Sequence, residues 1–172
     1  MCHLQSILGK IMEITQRPAT FGDADTLLTW RNNPDVRKFS LHTGLISIDE
    51  HLKWLSGRLE RVDLEPFFLF EEDHKTIGMS RLDVVSGQTN KCEISILVDP
   101  DQHRKGIGTR ILNMTCDSFF SLHPNKTIVA KVQVHNFVSQ KLFTNAGFEL
   151  QNSVGNFLHF EKPFKSEQSS FL

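Results

Sequence analysis

The chain has 172 residues, of which 39% are hydrophobic and 23% charged, with 19 Lys and Arg against 20 Asp and Glu, and this composition is typical of one folded domain. The formal charge of -1 excludes the strongly basic surface on which nucleic-acid binding depends, and the apolar runs are too short to span a bilayer. Three scattered cysteines favour a reducing compartment over a disulfide framework, so we expect a cytoplasmic protein with no nucleic-acid or membrane partner.

The hydrophobic pattern predicts strands and helices that alternate along the chain. Period-two alternation indicates strands, and 3.6-residue spacing indicates helices. Ser47 and Glu50 have the spacing of a helix capping box. In chain order, we predict strand 11–17, helix 23–32, helix 48–59, strands 66–71, 76–85 and 92–98, helix 107–123, strand 127–134, helix 137–145, and strands 148–151 and 156–161.

This order of elements predicts a mixed α/β domain that is antiparallel at first and has helical crossovers later. No internal repeat or polar linker divides the chain, so we expect a single domain over residues 1–172. The ends, 1–10 and 166–172, are expected to be flexible.

The segment 93–110 is the part of the sequence that points most clearly to chemistry. A buried strand leads into a polar loop with Gly106 and Gly108 and then directly into a helix, so unpaired amides and the positive end of a helix dipole meet at one turn. Such a turn binds phosphate groups, and neighbouring Arg and Lys residues add positive charge. The spacing is neither a Walker A loop nor a dinucleotide-binding fingerprint. An ordinary strand-to-helix turn with solvated basic residues is the alternative.

This segment resembles motif A of the GNAT N-acetyltransferase superfamily, in which a strand leads to the pattern Q/R-x-x-G-x-G/A and the loop amides bind the pyrophosphate of coenzyme A. A second segment, from Asn136 to Phe148, resembles that family's pattern N-x-x-A-x-x-L-Y-x-x-x-G-F. The likeness extends over nearly the whole chain. It implies one acetyltransferase domain with a GNAT-type mixed α/β fold, in which helices flank a centrally splayed β-sheet.

The resemblance also implies an acetyl-CoA-dependent enzyme and the residues that hold its cofactor. Backbone amides do most of the phosphate binding, so His103 at the usual Gln or Arg position should be tolerated. Asn136 would bond the pantetheine arm, although a helix N-cap is the more common use of such an Asn. The residues expected to bind acetyl-CoA or coenzyme A are Ile96, Leu97, Val98, His103, Arg104, Lys105, Gly106, Ile107, Gly108, Thr109, Asn136, Ser139 and Phe143.

Catalysis of this kind requires that the acceptor amine lose a proton before it attacks the thioester. Glu93 is the expected base, because members of the family frequently carry a catalytic Glu at the start of this strand; a surface Glu on an alternating strand is the alternative. A backbone N–H near Leu97 or Val98 would bind the developing oxyanion. Phe143 stands where the family often places a proton-donating Tyr, and the chain contains no Tyr. We therefore assign no general acid and expect Phe143 to form a wall of the pantetheine channel.

The front half of the chain carries the resemblance that bears on the acceptor amine. Segments 28–37, 46–55 and 67–70 resemble the acetyltransferases of pseudaminic acid biosynthesis, which act on the 4-amino group of a UDP-linked 4-amino-4,6-dideoxy sugar. The expected substrate is therefore a small-molecule amine in the form of a nucleotide sugar. The residues expected to bind it are Arg31 for the diphosphate, His51 for a phosphate or hydroxyl group, and Trp54 for a ring.

Other interpretations stay open at this point. Arg31 paired with Asp35 at a helix end, and Trp54 in a helix core, are the structural alternatives. Similar front segments occur in ribosomal-protein N-terminal acetyltransferases and in polyamine acetyltransferases. The acidic pocket of the latter could draw on Asp49, Glu50, Glu60, Asp63 and Glu65, although such a run is more often a solvated helix face. The absence of Tyr also permits an acyl-CoA-binding sensor without turnover. No metal site is expected from the dispersed His residues, and nothing in the sequence decides whether the chain forms a homodimer.

Overall fold

A computed structural model describes residues 13–40 and 42–164 of the chain. The strands are β1 Thr15–Pro18, β2 Phe67–Glu72, β3 Lys75–Val85, β4 Gln88–Val98, β5 Thr127–Gln133, β6 Glu149–Val154 and β7 Phe157–Pro163. The helices are α1 Ala24–Asn32, α2 Pro34–Arg37, α3 Ile48–Leu59, α4 Ile107–Leu122 and α5 Phe137–Asn145. The strands form one seven-stranded sheet in the order β1-β2-β3-β4-β5-β7-β6.

The register of the sheet opens a gap between β4 and β5. The other neighbouring strands pair antiparallel, whereas β4 and β5 are parallel and pair only where Lys91–Glu93 lies beside Thr127–Val129. Beyond Glu93, β4 continues to Val98 beside β3 alone. One edge of this terminal segment therefore has no strand partner among the described residues. The expected mixed sheet with a central splay is confirmed.

The helices cover the two faces of the sheet. Helices α4 and α5 pack on one face, over a core that includes Leu112 and Ile128. Helices α1 and α3 pack on the other face, over a core that includes Leu27, Leu55 and Phe67. Within the described residues, this second core takes side chains from β2, β3 and β4 but not from β5 or β7. The splay therefore opens beside the edge of the α1 and α3 layer.

The structure differs from the prediction at two places, for local reasons. The sequence pattern does not predict α2: Pro34 ends the preceding helix but also begins a short one, because Pro is favourable at the first helical position and Asn33 Oδ1 accepts from Asp35 N at 2.9 Å. The predicted strand 92–98 begins earlier in the structure, at Gln88, because Gly87 with φ 74° allows a tight turn directly after β3. The other predicted elements are confirmed, with ends shifted by a few residues.

Some expectations concern residues that the structure does not describe. The start of the predicted first strand, residues 11 and 12, lies outside the described residues, as do the ends at 1–10 and 166–172 that we expect to be flexible. Within residues 13–40 and 42–164, no helix has the length and apolar character needed to cross a membrane. The same ranges contain no group of three or more His, Cys, Asp or Glu side chains placed to hold a metal ion.

Candidate active site

The loop between β4 and α4 contains two residues with left-handed backbone. Arg104 has φ 64° and Gly106 has φ 75°, and α4 begins directly afterwards at Ile107. No described side chain caps this helix, so the N–H groups of its first turn, at Ile107, Gly108 and Thr109, point out of its N-terminus. Left-handed residues in such a turn direct successive amides into one concavity, which binds anions.

Space and charge at this loop suit a diphosphate. A Cβ on Gly106 would meet no heavy atom within 4 Å, so the surface of the turn is open there. His103, Arg104 and Lys105 are exposed beside it. Backbone amides and exposed cations are donors that bind phosphate groups. The residues present therefore fit the cofactor that the family resemblance implies.

The open edge of β4 supplies further backbone donors. Asp99 N donates to the Ile77 carbonyl of β3 at 2.9 Å, and amide directions alternate along a strand. The amides of Val98 and Ile96 therefore point to the edge that β5 has left, whereas the amide of Leu97 points to β3. On the open edge, His103 Nε2 lies 3.1 Å from Val98 O. Because amide directions alternate, the Val98 N–H is better placed than the Leu97 N–H to donate to an oxyanion.

Helix α5 borders the loop on its other side. A Cβ on Gly108 would lie 3.7 Å from the Leu142 side chain, which places α5 against the first turn of α4. Asn136 Oδ1 accepts from Ser139 N at 3.1 Å. Asn136 is therefore the N-cap of α5, the alternative that the sequence also allows, and its Nδ2 is the part that could donate to pantetheine.

Phe143 lies in the core and not on an open wall of a channel. Its side chain is 5% exposed, and its ring centroid lies 5.1 Å from that of Phe148 and 6.3 Å from that of Phe160. Three aromatic rings that pack in this way form part of the apolar core between α5 and the sheet. The ring also has no proton to donate, so the role that a Tyr would take is not available at this position.

Glu93 lies at the last paired position of β4 before the strands diverge. It sits beside Val129 of β5, and its Oε2 lies 2.9 Å from Lys131 Nζ. At 3.3 Å per residue it is about 16 Å along the strand from Val98. The carboxylate keeps a quarter of its surface exposed. This placement suits a base that acts through water rather than by direct contact.

Two arginines at the end of α1 and in α2 donate to adjacent carbonyls of one loop. Arg31 Nη2 donates to His42 O at 2.7 Å, and Arg37 Nη1 donates to Thr43 O at 3.0 Å. Because these carbonyls are adjacent, the two guanidinium groups lie close together. Burial, followed by the charges of Arg37 and Arg81, lowers the pKa of Arg31. We call Arg31, Arg37 and Arg81 the arginine cluster.

Two nitrogen donors of the arginine cluster have no hydrogen-bond partner among the described residues. They are Arg31 Nη1 and Arg37 Nε, and both are buried. The alternative role of Arg31, an ion pair with Asp35, is not what the structure shows, since Asp35 pairs with Lys38 at 2.7 Å. Buried cationic donors without partners favour an anionic ligand, and guanidinium groups match phosphate geometry.

The position of Arg81 places this cluster beside the splay. Arg81 lies opposite Ser95, in the segment of β4 that pairs with β3 but not with β5. Its guanidinium carbon is 5.6 Å from the centroid of the Trp54 ring. At the end of β5, Gln133 Nε2 donates to Ser40 O at 3.4 Å. The segment that follows α2 is therefore held next to the opening between β4 and β5.

Trp54 is open to a ligand, whereas His51 is not. Trp54 is 40% exposed and borders a shallow groove of about 590 Å³ along α3. His51 is 3% exposed, and burial lowers its pKa. The two ring centroids are 5.5 Å apart. His51 thus packs beneath Trp54 and is closed to a ligand, whereas Trp54 is exposed and Arg31 is partly exposed.

Two of the acidic residues considered for a polyamine pocket have partners within the chain. Glu65 is 9% exposed and pairs with Arg58 at 2.8 Å and with Arg61 at 3.1 Å. Glu50 accepts from the amide and the hydroxyl of Ser47 at 2.9 Å and 2.8 Å, which completes the predicted capping box. Glu65 therefore stabilises the contact of α3 with the sheet, and Glu50 stabilises the start of α3. Asp49, Glu60 and Asp63 are exposed, as on the solvated face that the sequence also allows.

Sequence reasoning does not identify Arg37, Arg81 or Lys131. Arg81 follows the alternation of β3, but only the register with β4 shows which face it shares. Arg37 belongs to α2, which the pattern does not predict. Lys131 meets Glu93 only across the single parallel pairing of the sheet. No signal within the sequence brings these residues together.

Comparison with known proteins supports the resemblance to the GNAT superfamily. The family model described as an acetyltransferase (GNAT) domain matches residues 13–149 of the chain. An uncharacterized protein of Methanocaldococcus jannaschii is 27% identical over 144 residues, which cover 83% of this chain and 29% of that protein. The chain therefore spans less than a third of the length of this relative.

Solved structures share the fold at low sequence identity. An N-acetyltransferase from Staphylococcus aureus Mu50 is 22% identical, with a TM-score of 0.76 over 89% of this chain and 99% of that one. The spermidine N-acetyltransferase from Vibrio cholerae, solved with CoA and spermine, is 20% identical, with a TM-score of 0.73 over 86% of this chain and 92% of that one. At these identities the likeness establishes the fold.

Proposed function

The chain belongs to the GNAT family of acetyltransferases, and on that premise we propose that it transfers the acetyl group of acetyl-CoA to a nucleotide-linked amino sugar. The acceptor is the 4-amino group of a UDP-linked 4-amino-4,6-dideoxy sugar. The loop at Gly106 supports the choice of donor, and the arginine cluster is the single observation that carries the choice of acceptor.

The loop and the open edge of β4 would hold the donor. The amides of Ile107, Gly108 and Thr109, with the exposed charges of Arg104 and Lys105, suit its diphosphate. When bound, acetyl-CoA supplies the acetyl group as a thioester, so that the N–C bond forms as the C–S bond breaks and the thiol leaves with the second proton of the amine.

Glu93 and Val98 would carry the proton and the developing negative charge. The Glu93 carboxylate accepts the first proton of the acceptor ammonium through a water molecule and later releases it to solvent. The Val98 N–H, which points to the open edge, is positioned to donate to a carbonyl oxygen. A thiol has a pKa of about 8.5, so its departure requires no general acid, and the absence of Tyr from the chain is compatible with turnover.

The arginine cluster favours an acceptor that carries negative charge. Arg31 and Arg37 have buried donors that no described residue satisfies, and a diphosphate would satisfy them. The exposed face of Trp54, next to Arg81, offers a flat surface for the nucleobase or the sugar. A polyamine, which is a cation, would be repelled by this cluster and finds Glu65 already paired with Arg58.

Compartment and oligomeric state complete the proposal. The free thiols of Cys92 and Cys116 are buried, which is compatible with the cytoplasm that we propose as the site of the reaction. A homodimer stays a prediction that the single chain leaves open.

Thiol release from acetyl-CoA, measured with three amines, tests the proposed acceptor. The amines are a UDP-linked 4-amino-4,6-dideoxy sugar, spermidine, and a peptide with a free N-terminal alanine. We expect turnover with the nucleotide sugar alone. Arg31→Leu should raise its KM about tenfold or more, because a charge-assisted hydrogen bond contributes about 1.5–3 kcal/mol.

Lys38→Leu is the matched control, since it removes one positive charge near the same loop from an exposed ion pair with Asp35. Its KM for the nucleotide sugar should stay within about twofold of the wild-type value. Turnover with spermidine or with the peptide but not with the nucleotide sugar would contradict the proposed acceptor. Background hydrolysis with all three amines, despite tight binding of CoA, would favour a sensor.

A further inference from the structure

The chain between α2 and α3 meets the arginine cluster through segment 42–46. Arg31 and Arg37 donate to two adjacent carbonyls at the start of this segment. At its end, Asn32 Nδ2 donates to Ile46 O at 2.9 Å, and Asn32 Oδ1 accepts from Ile46 N at 2.9 Å. Side chains of α1 and α2 therefore hold segment 42–46 at both ends.

Segment 42–46 depends on these side chains for its backbone hydrogen bonds. Within residues 13–40 and 42–164, no backbone group of the segment bonds to another backbone group. Residues 42–45 are exposed, and a Cβ on Gly44 would meet no heavy atom within 4 Å. Because packing holds the segment only weakly, the contacts from Arg31, Asn32 and Arg37 fix where it lies.

The side chain of Asn32 is suited to this contact, because a carboxamide combines a donor with an acceptor. Its two hydrogen bonds engage the N–H and the C=O of one residue, as a neighbouring strand would, and so fix both the position and the direction of Ile46. Asn32 is half-buried and is the last residue of α1, directly after Arg31. The two residues therefore bind opposite ends of the same segment.

We infer that Asn32 is a positioning residue for the acceptor, because it holds segment 42–46 where Arg31 and Arg37 can present their unpartnered donors to a diphosphate. The inference rests on the proposed function. Each guanidinium uses one nitrogen on a carbonyl of the segment, and Arg31 Nη1 and Arg37 Nε have no partner among the described residues. An arginine side chain that is ordered before the ligand arrives loses less freedom on binding. Asn32 therefore acts on the acceptor through the two arginines.

Binding of UDP to the full chain, measured by isothermal titration calorimetry, tests the inference. UDP carries the diphosphate and the nucleobase of the proposed acceptor but no amine, so its binding does not depend on turnover. Asn32→Ala and Asn32→Leu should each raise the Kd for UDP about fivefold or more and leave the Kd for CoA within about twofold of the wild-type value. Asn32→Leu keeps a side chain of similar size, so it removes the hydrogen bonds without opening a cavity.

Steady-state kinetics with the UDP-linked 4-amino-4,6-dideoxy sugar provide a second measurement. In both Asn32 variants the KM for the sugar should rise about fivefold or more, whereas kcat should stay within about twofold of the wild-type value. A general loss of stability would not divide the two constants in this way, because it lowers the amount of active enzyme and not its affinity for one substrate.

Gln140→Ala is the matched control. The side-chain amide of Gln140 also bonds two backbone groups, since its Nε2 donates to Gln133 O at 3.2 Å and to Val134 O at 2.9 Å. This contact ties α5 to the end of β5 and does not involve segment 42–46. Its loss should lower the free energy of unfolding, measured by urea denaturation, but leave the Kd for UDP within about twofold of the wild-type value.

A double-mutant cycle measures whether Asn32 acts through Arg31. Arg31→Leu removes a guanidinium that the segment holds. In that background, Asn32→Ala should therefore raise the Kd for UDP by a smaller factor than it does in the wild type. Equal factors would mean that the two residues act independently, and this result would overturn the inference.

The outcomes separate this inference from the proposed function. If the wild type binds UDP and Arg31→Leu weakens that binding, but neither Asn32 variant does, the inference is wrong and the proposed acceptor survives. If both Asn32 variants lose the binding of CoA as well, Asn32 stabilises the fold as a whole, and the inference is again wrong. If the wild type does not bind UDP, the proposed acceptor is wrong and the inference fails with it.

Discussion

Gly106 is the single residue on which the proposed cofactor site depends most. Its φ of 75° and the open space around its missing Cβ leave room for an anion at the turn. In Gly106→Asp a carboxylate would occupy this space and repel a diphosphate. We expect the Kd for CoA, measured by isothermal titration calorimetry, to rise about 100-fold or more, which corresponds to about 2.7 kcal/mol.

Gly87→Asp is the control for this change. Gly87 has φ 74° and also meets no heavy atom within 4 Å of its missing Cβ, so the same substitution imposes the same backbone strain in the turn between β3 and β4. Its Kd for CoA should stay within about twofold of the wild-type value. Equal losses in both variants would mean that strain, not repulsion, weakens binding, and an unaltered Kd in Gly106→Asp would contradict the assigned phosphate site.

For single residues, the sequence predicts site features formed by neighbouring residues, but not those formed by residues distant in the chain. The loop at Gly106 is predictable because strand, turn and helix follow one another within a few residues. Arg81 and Lys131 are not predictable, because each reaches the site through a register between strands distant in sequence. Phe143 lies in a recognisable segment, yet only the packing of its ring against Phe148 and Phe160 places it in the core.

Among the elements, α4 is held unusually close to β3, and this closeness fixes the position of the phosphate loop. A Cβ on Gly78 of β3 would lie 2.4 Å from Ile111 Cδ1 and 2.9 Å from Leu97 O. Ile111 can adjust its side chain, but the backbone carbonyl of Leu97 cannot move away easily. Gly78→Ala should therefore lower the free energy of unfolding by about 1–3 kcal/mol, measured by urea denaturation.

Gly57→Ala is the opposing control for the same chemical change. Gly57 is exposed within α3, and a Cβ there would meet nothing within 4 Å. Alanine should therefore raise the free energy of unfolding by about 0.5–1 kcal/mol, because it favours the helix more than glycine does. Similar stability of Gly78→Ala and the wild type would show that α4 is free to shift away from β3.

Helices and strands whose ends are set by neighbouring residues in the sequence are predicted most accurately. Helices α3 and α5 are predicted to within a residue, since a capping box at Ser47 and the cap at Asn136 fix their starts. Helix α2 is missed because Pro34 both ends one helix and starts another. The splay follows from the short parallel pairing of β4 with β5, which no period in the sequence encodes and which only the family resemblance implies.

For the whole molecule, we expect the stability of the fold to decrease as the pH falls below neutral. Burial lowers the pKa of His51 below its ordinary value of 6.5, so the unfolded chain takes up this proton at a higher pH than the folded chain does. The contribution of His51 to stability is therefore fully present above about pH 6.5. It is lost as the pH falls towards the pKa of His51 in the folded chain. At lower pH, Asp23 adds to the loss, because its pairing with Arg17 lowers its pKa below 3.8.

Urea denaturation at about pH 7.5 and about pH 5 measures this loss through the free energy of unfolding. His51→Gln keeps a polar side chain of similar size but cannot take up the proton, so the difference between the two pH values should be smaller than in the wild type. His135 is exposed where β5 leads into α5, and His135→Gln should keep the wild-type difference. If His51→Gln shows the wild-type difference as well, burial of the neutral imidazole beneath Trp54 does not control the response of the fold to acid.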